Sequence, residues 1–203
     1  FKQPMKKLIH PRIHKGFSLV ELLVVIAIIA ILAGASYPAI VSAIKTAKIK
    51  EGVKAANDIV FAIEQFEQKY DYLPYVTGTT PNGVVVYRTD NGDLLKVLMG
   101  MDVAINPNNI EFFAADAATN NVNGIVYNSD GVTPTSLVDP WGFHYQIAID
   151  YTGENKIDLG TVTEFNVYME NAGSSTIVRS RPAIVASPGP DAIFDDKDDV
   201  KSW

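Results

Sequence analysis

The chain has no cysteine. That excludes a disulfide framework, a zinc-thiolate site and a thiol nucleophile together, while leaving the redox compartment open. Nothing acidic stands before Phe17, although Lys2, Lys6, Lys7, Arg12 and Lys15 do, and from Phe17 to Val41 the single charged residue is Glu21. There is no nucleophile elbow, P-loop, dinucleotide fingerprint or histidine-based metal motif, so an enzyme is not expected. Acid pairs such as Asp195 and Asp196 would serve a hydrolase only across a cleft, and nothing in their spacing puts them there. The sequence contains no internal repeat.

What is there is 203 residues, 47% hydrophobic and 20% charged, enough for one packed domain and an appendage. Five of the 17 Lys and Arg residues precede Phe17 and none of the 23 acids does, so losing that segment takes the net charge from −6 to −11. Phosphate binding needs clustered cations, and this balance argues against a nucleic-acid partner. The sequence opens on Phe1, and Met5 is a candidate start residue.

At about 1.5 Å per residue, the stretch from Phe17 to Val41 spans a hydrocarbon core about 30 Å thick. It reads as a membrane helix behind a basic segment, residues 1–16. Five preceding positive charges keep the N-terminus cytoplasmic and send everything after about residue 41 across the membrane. A secretory signal peptide shares the basic start, but its apolar core is only about 7–15 residues long. On hydropathy alone an uncleaved signal anchor accounts for the segment. Glu21 does not fit that account, because an acid facing lipid costs a few kcal/mol unless it finds a partner. Cleavage between Gly16 and Phe17 would create an α-amine four residues from Glu21. The amine of a neighbouring copy would meet this carboxylate inside lipid, where the pair is nearly neutral and strongly attractive.

The run "KGFSLVELLVVIAIIAIL", Lys15 to Leu32, resembles the processing and methylation signature of the type IV pilin superfamily, which includes the pseudopilins of type II secretion. The resemblance covers roughly residues 15–45. It implies that a prepilin peptidase cuts after Gly16, that the Phe17 amine is methylated, and that Glu21 registers each subunit in a helical filament. Pro38 matches a proline that kinks the long helix of that family.

Past Pro38, the apolar residues Ile40, Ile44, Ile49, Val53, Ala56, Val60, Ile63, Phe66 and Tyr70 fall mostly three or four apart, with Lys, Asp and Glu between them. A helix from Phe17 to Tyr70 would be about 80 Å long, and its first half would have no core of its own chain to bury against. Pro74 and two glycines stop it within "YDYLPYVTGTTPNG". Val84 to Arg88 reads as a strand and Asp93 to Met101 as a short helix. Asn106 to Asn128 reads as an Asn-rich surface loop carrying the apolar pieces Ile110 to Phe113 and Ile125 to Tyr127, with turn residues at Asp130 to Pro134. Alternating apolar runs at His144 to Ile149, Lys156 to Leu159 and Ala183 to Ala186 predict strands, and Glu164 to Glu170 is a strand or loop. The expected architecture is α+β: a long N-terminal helix packed on a small antiparallel sheet.

Two C-terminal stretches stand out. In "DPWGFHYQIAID", Asp139 to Asp150, Asp-Pro and Gly frame a turn that Trp141 and Tyr145 anchor, which predicts a hairpin start rather than a ligand site. His144 has no second His or Cys nearby to complete a metal site and reads as a strand residue. "SPGPDAIFDDKDDV", Ser187 to Val200, places Asp191, Asp195, Asp196, Asp198 and Asp199 behind a Pro-Gly-Pro turn. So many acids suit calcium, which takes six to eight oxygens, but the spacing is not that of an EF-hand, and a solvated acidic tail is the plainer alternative.

Both stretches resemble major pseudopilins. The first is similar to their "DPWG-x-x-Y" segment; the second is similar to their calcium loop, with Ser187, Gly189, Asp191, Asp198, Asp199, Val200, Ser202 and Trp203 matching. That resemblance implies one calcium ion held by Asp191, Asp198 and Asp199, with carbonyls from the turn around Ser187. Ala192 and Asp195 stand where the resembled loop has glycines.

Together these imply a structural subunit of a type II secretion pseudopilus. The organisation is a leader at 1–16, a helix at 17–70 that is transmembrane over 17–41, and a globular periplasmic head at 71–203. The implied partners are copies of itself, minor pilin-like subunits, the prepilin peptidase and methyltransferase, an inner-membrane assembly platform and the lipid bilayer. The implied place is the bacterial inner membrane, then the fibre. The alternatives are a type IV pilin for adhesion, motility or DNA uptake, to which the Asn-rich insert would give an outward surface, and a membrane-anchored exported enzyme or binding protein.

Overall fold

The computed structural model describes residues 16–160, 162, 177–194 and 199–203. Its first element is α1 (Leu19–Tyr70), which runs through Pro38. Asp71 ends it by taking a left-handed φ of +59° while donating its N–H to the Glu67 carbonyl at 2.8 Å. Pro74 then prevents the helix from resuming.

The chain divides into two compact units, Phe1–Ile44 and Lys45–Trp203. In the first, every described side chain is exposed, from Phe17 through the apolar run to Ile44. Among the described residues of this unit no apolar surface covers them.

In the second unit, α1 buries Gly52, Ala56, Ile59, Val60, Ala62, Ile63 and Phe66, a stripe at helical spacing. The stripe packs on a four-stranded antiparallel sheet in the order β1-β4-β7-β8: β1 (Val84–Arg88), β4 (Gln146–Asp150), β7 (Ala183–Ser187) and β8 (Val200–Lys201). Successive side chains of a strand point to opposite faces. Ile147, Ile149 and Val185 accordingly join the core that contains Ile59, Ile63 and Phe66, while Ala148, Ile184 and Ala186 join a second cluster with Ile157, Leu159 and Val162. A hairpin of β5 (Lys156–Asp158) and β6 (Ile177–Arg179) contributes to that second layer. Covered on both faces, β4 and β7 are buried along their whole length. Each large apolar side chain so buried contributes about 1.5–3 kcal/mol.

A further hairpin joins β2 (Gly124–Tyr127) to β3 (Pro134–Val138), closed by an Asp130 turn whose carboxylate accepts the Val132 and Thr133 N–H groups at 2.9 Å each. α2 (Asp93–Leu98) lies between β1 and β2.

The α+β architecture and the antiparallel pairing follow the expectation, with differences of detail. The sheet is not single: two-stranded sheets β2–β3 and β5–β6 accompany the main one. α2 stops at Leu98 rather than Met101, because Gly100 takes φ +76° where a Cβ would lie 2.7 Å from the Asn109 carbonyl oxygen. β4 begins at Gln146, two residues after His144, which makes an isolated bridge to Val138. The stretch from Asn106 is not simply a surface loop, since Asn106 is fully buried. Its amide donates to the Val97 and Ile110 carbonyls at 2.9 and 2.7 Å, and its oxygen accepts from Tyr70 at 2.6 Å and from the Ile110 N–H at 3.1 Å. The expectation for Glu164 to Glu170 lies outside the described residues.

Candidate functional site

Three places carry the sequence-predicted site residues: the start of α1, the turn after β3, and the end of the chain. Gly16, Phe17 and Ser18 precede α1 and are exposed. Ser18 occupies the N-cap position, and its Oγ accepts the Val20 N–H at 3.3 Å. Glu21, three residues on, reaches back so that its Oε2 accepts the Ser18 N–H at 3.0 Å. The Glu21 arm is that of a capping box, while the Ser18 hydroxyl caps one residue earlier, and together they satisfy two backbone donors at the helix start. The signal was present in the sequence as Ser-x-x-Glu, hidden by reading the acid only against its apolar neighbours. Within the single chain Glu21 therefore has a backbone partner and a favourable helix dipole. Further along the same unit, Ser36 Oγ donates to the Leu32 carbonyl at 2.8 Å, two residues before Pro38 removes an N–H from the helical ladder.

The turn after β3 is organised by Asp139, which is fully buried. Its Oδ1 accepts the Trp141 and Phe143 N–H groups at 2.8 and 2.9 Å, and its backbone N–H donates to the Phe143 carbonyl at 2.8 Å. Its Oδ2 accepts the hydroxyl of Ser187. Tyr145 is buried beside it and reaches the Gly52 carbonyl of α1 at 3.5 Å. Burial first, then the Asp139 and Glu51 charges, push the Tyr145 hydroxyl far above its ordinary value. The predicted aromatic anchor is therefore chiefly Tyr145, with Trp141 half-buried against the same core.

At the C-terminus, Ser187 ends β7 and pairs in register with Val200 of β8. A 3-10 turn at Gly189–Asp191 follows Ser187. Asp191 is exposed, with its Oδ1 accepting the Ile193 N–H at 2.9 Å. Asp199 is buried, with its Oδ2 3.5 Å from Lys201 Nζ. Beyond β8, Ser202 exchanges two bonds with Val185, its N–H donating to the Val185 carbonyl at 3.0 Å and its Oγ accepting the Val185 N–H at 2.9 Å. Arg181 donates to the Ser202 carbonyl at 3.0 Å and to Asn57 of α1 at 3.3 Å. The last residues are thus tied to the sheet and the helix.

Of the residues implied to hold calcium, Ser187, Asp191 and Asp199 are described, while Asp198 lies outside the described residues together with Asp195 and Asp196. Among the described residues no group of three His, Cys, Asp or Glu side chains gathers. The donors at hand are all oxygens, carboxylates and carbonyls, and that chemistry fits a hard cation rather than a transition metal.

Sequence reading treated the turn and the C-terminal loop separately; the fold joins them. Asp139 bonds Ser187, and both sides converge on one point of α1. At Gly52 a Cβ would lie 2.7 Å from Val200 Cγ2 and 3.4 Å from Pro140 Cδ. Glycine lets β8 and the turn approach the helix that closely.

A groove of about 480 Å³ lies between α1 and the 113–124 segment, lined among others by Glu51, Lys54, Asp58, Asp116, Phe113 and Leu137. Lys54 pairs with Asp58 at 2.7 Å, and no hydroxyl, thiol or imidazole lines the groove. It offers no acid-base-nucleophile arrangement.

Residues 11–37 match the family described as the prokaryotic N-terminal methylation motif. No curated protein and no solved structure matches the chain. The motif marks a type IV pilin-like prepilin, a substrate of prepilin peptidase, and with the long helix on an antiparallel sheet it fits a membrane-anchored, pilin-like subunit.

Proposed function

We propose that the chain is a structural subunit of a helical filament, cut after Gly16, methylated at Phe17 and held in register by Glu21. The observation that carries this reading is the first unit: an apolar helix with every described side chain exposed and one carboxylate at its start. In a bilayer lipid covers that surface. Outside it, only copies of the same helix offer a matching apolar cover, and bundling them keeps the surface from water.

Hydrolysis of the Gly16–Phe17 peptide bond frees an α-amine at Phe17. Among the described residues Glu21 accepts a backbone N–H from Ser18, and a carboxylate has capacity for further donors. The Phe17 amine of the next copy is the donor that neutralises its charge. The Glu21→Ala variant tests this: processed and inserted, it should fail to polymerise, and polymerisation at the parent's level would refute the reading.

Within filaments, we assign the chain to a type II secretion pseudopilus, on the resemblance of its "DPWG" turn and C-terminal loop to those of major pseudopilins. Asp191, Asp198 and Asp199, with carbonyls from the turn around Ser187, would hold calcium. Bound there, the ion would supply positive charge to a loop of five carboxylates and add a further tie to the end of the chain. The ordered terminus then gives neighbouring subunits a fixed surface to stack on. Replacing Asp191 and Asp199 by Ala should abolish a calcium-dependent gain in protease resistance; equal resistance in calcium and chelator for parent and variant would count against the ion. A type IV pilin for adhesion, motility or DNA uptake is the other filament reading. Disrupting the gene separates them, since the first loses export of a secreted protein and the second loses a surface phenotype.

A further inference from the structure

Between the apolar run of α1 and its packed part lies a short segment whose charge the filament reading does not use. From Ser42 to Lys50 it carries Lys45, Lys48 and Lys50 and no acid, and all three lysines are exposed. Glu51, the one acid between Glu21 and Asp58, is engaged elsewhere: its Oε1 accepts an amide N–H of Asn123 at 2.9 Å. Lys54 is taken by Asp58 at 2.7 Å. Among the described residues Lys48 and Lys50 form no salt bridge.

Their position along the helix gives these charges a use. Counted from Val41, Lys45, Lys48 and Lys50 stand about 6, 10 and 13 Å further along α1, at about 1.5 Å per residue. Helical side chains lean toward the N-terminus, here toward the bilayer, and the long aliphatic stem of lysine carries its ammonium further that way. The headgroup layer is about 5–8 Å thick on each side of the hydrocarbon core, so all three cations reach it. They are also not gathered on one face. At about 3.6 residues per turn, Lys48 and Lys50 are about 200° apart, on opposite sides of α1. A partner protein covers one side of a helix, whereas a leaflet surrounds it. Residues 51–203 hold 22 acids and nine Lys and Arg, a net charge of −13 that an anionic surface repels.

We infer that Lys45, Lys48 and Lys50 form a collar that binds the phosphate groups of anionic lipids in the leaflet where α1 leaves the membrane. The collar offsets the repulsion between that leaflet and the acidic residues beyond. The inference rests on the membrane-spanning reading of α1 and adds a class of lipid to it. A lysine near an anionic surface favours it about fivefold.

The chain has no cysteine, so Ala43→Cys places a single fluorophore beside the collar. The full chain carrying it is reconstituted into phosphatidylcholine vesicles. Quenching by phosphatidylglycerol with a spin label high on its acyl chain is compared with quenching by phosphatidylcholine carrying the same label. We expect phosphatidylglycerol to be favoured about fivefold at about 0.01 M salt, and the two lipids to quench alike at about 1 M. Lys45→Gln, Lys48→Gln and Lys50→Gln together should bring the two lipids to parity at both salt concentrations, while Lys45→Arg, Lys48→Arg and Lys50→Arg together should keep the preference. Equal quenching in the parent at low salt, or a preference that survives the glutamine variant, overturns the collar while the membrane reading stands. No quenching by either lipid puts Ala43 outside the bilayer and overturns both. A parent without lipid preference whose self-association in phosphatidylcholine vesicles is lost in the glutamine variant assigns the lysines to a second copy, and the lipid assignment falls.

Discussion

Ala192 sits at φ +64° just past the C-terminal 3-10 turn, a left-handed conformation that a Cβ disfavours by about 1–2 kcal/mol. The side chain bears that strain. Ala192→Gly should therefore stabilise the chain by about 0.5–1 kcal/mol, less than the full strain because glycine also loosens the unfolded chain. A higher denaturation midpoint checks it. Asp150 shows the opposite balance. Burial raises its carboxyl, but the Thr152 hydroxyl and the N–H groups of Lys156 and Thr152 outweigh that and hold it below the usual carboxylate range. A lowered folded value means that its contribution is complete above the unfolded value of about 3.9, and is lost as pH falls through the folded one. Urea titrations stepped from neutral pH to pH 3 should show the parent losing stability more steeply than Asp150→Asn. Equal slopes would remove Asp150 from the account.

At the scale of elements, α1 changes character along its length. Its first part exposes all its apolar residues and its later part buries a stripe against the sheet. Gly52 marks the tightest approach in the later part. In an unpacked helix Gly→Ala gains about 1 kcal/mol. Here the new methyl would meet Val200 at 2.7 Å, so Gly52→Ala should instead cost about 1–3 kcal/mol by overpacking. A thermal melt decides the sign. The ends of α1 and the strands β1, β4 and β7 were legible because period and punctuation agreed. β3 was not: Pro134 looked like the end of a turn, yet it is the first residue of a strand, where its missing N–H costs nothing to the ladder. β8, at Val200–Lys201, is too short to show any period, and its place is set by pairing with β7. Asn106 misled for a different reason. Composition reads Asn as loop, whereas four hydrogen bonds make this one a buried hub beneath Tyr70.

For the molecule as a whole, the candidate sites were legible as residues but not as a constellation. Gly16, Phe17 and Glu21 stand out because a charge in an apolar run is costly, and the acidic loop stands out by density alone. That Asp139 reaches Ser187 across 48 residues, or that Val200 rests on Gly52, depends on how strands pair, and no local signal carries it. Losing the basic leader would make the remaining chain more acidic, at −11. Head domains of like charge repel, so in the proposed filament the attraction would have to come from the apolar helices and the proposed Glu21–amine pairs. Low salt should therefore hinder assembly and moderate salt should favour it, within the reach of screening at about 10 Å in 0.1 M salt.

The account turns on the new amine, and the most direct measurement is the mass of the membrane-extracted protein with sequencing of its N-terminal peptide. A chain that begins at Phe17, one methyl group heavier than the bare sequence, is the predicted result. A chain that keeps residues 1–16 would leave Glu21 without its partner and contradict the filament reading at its root.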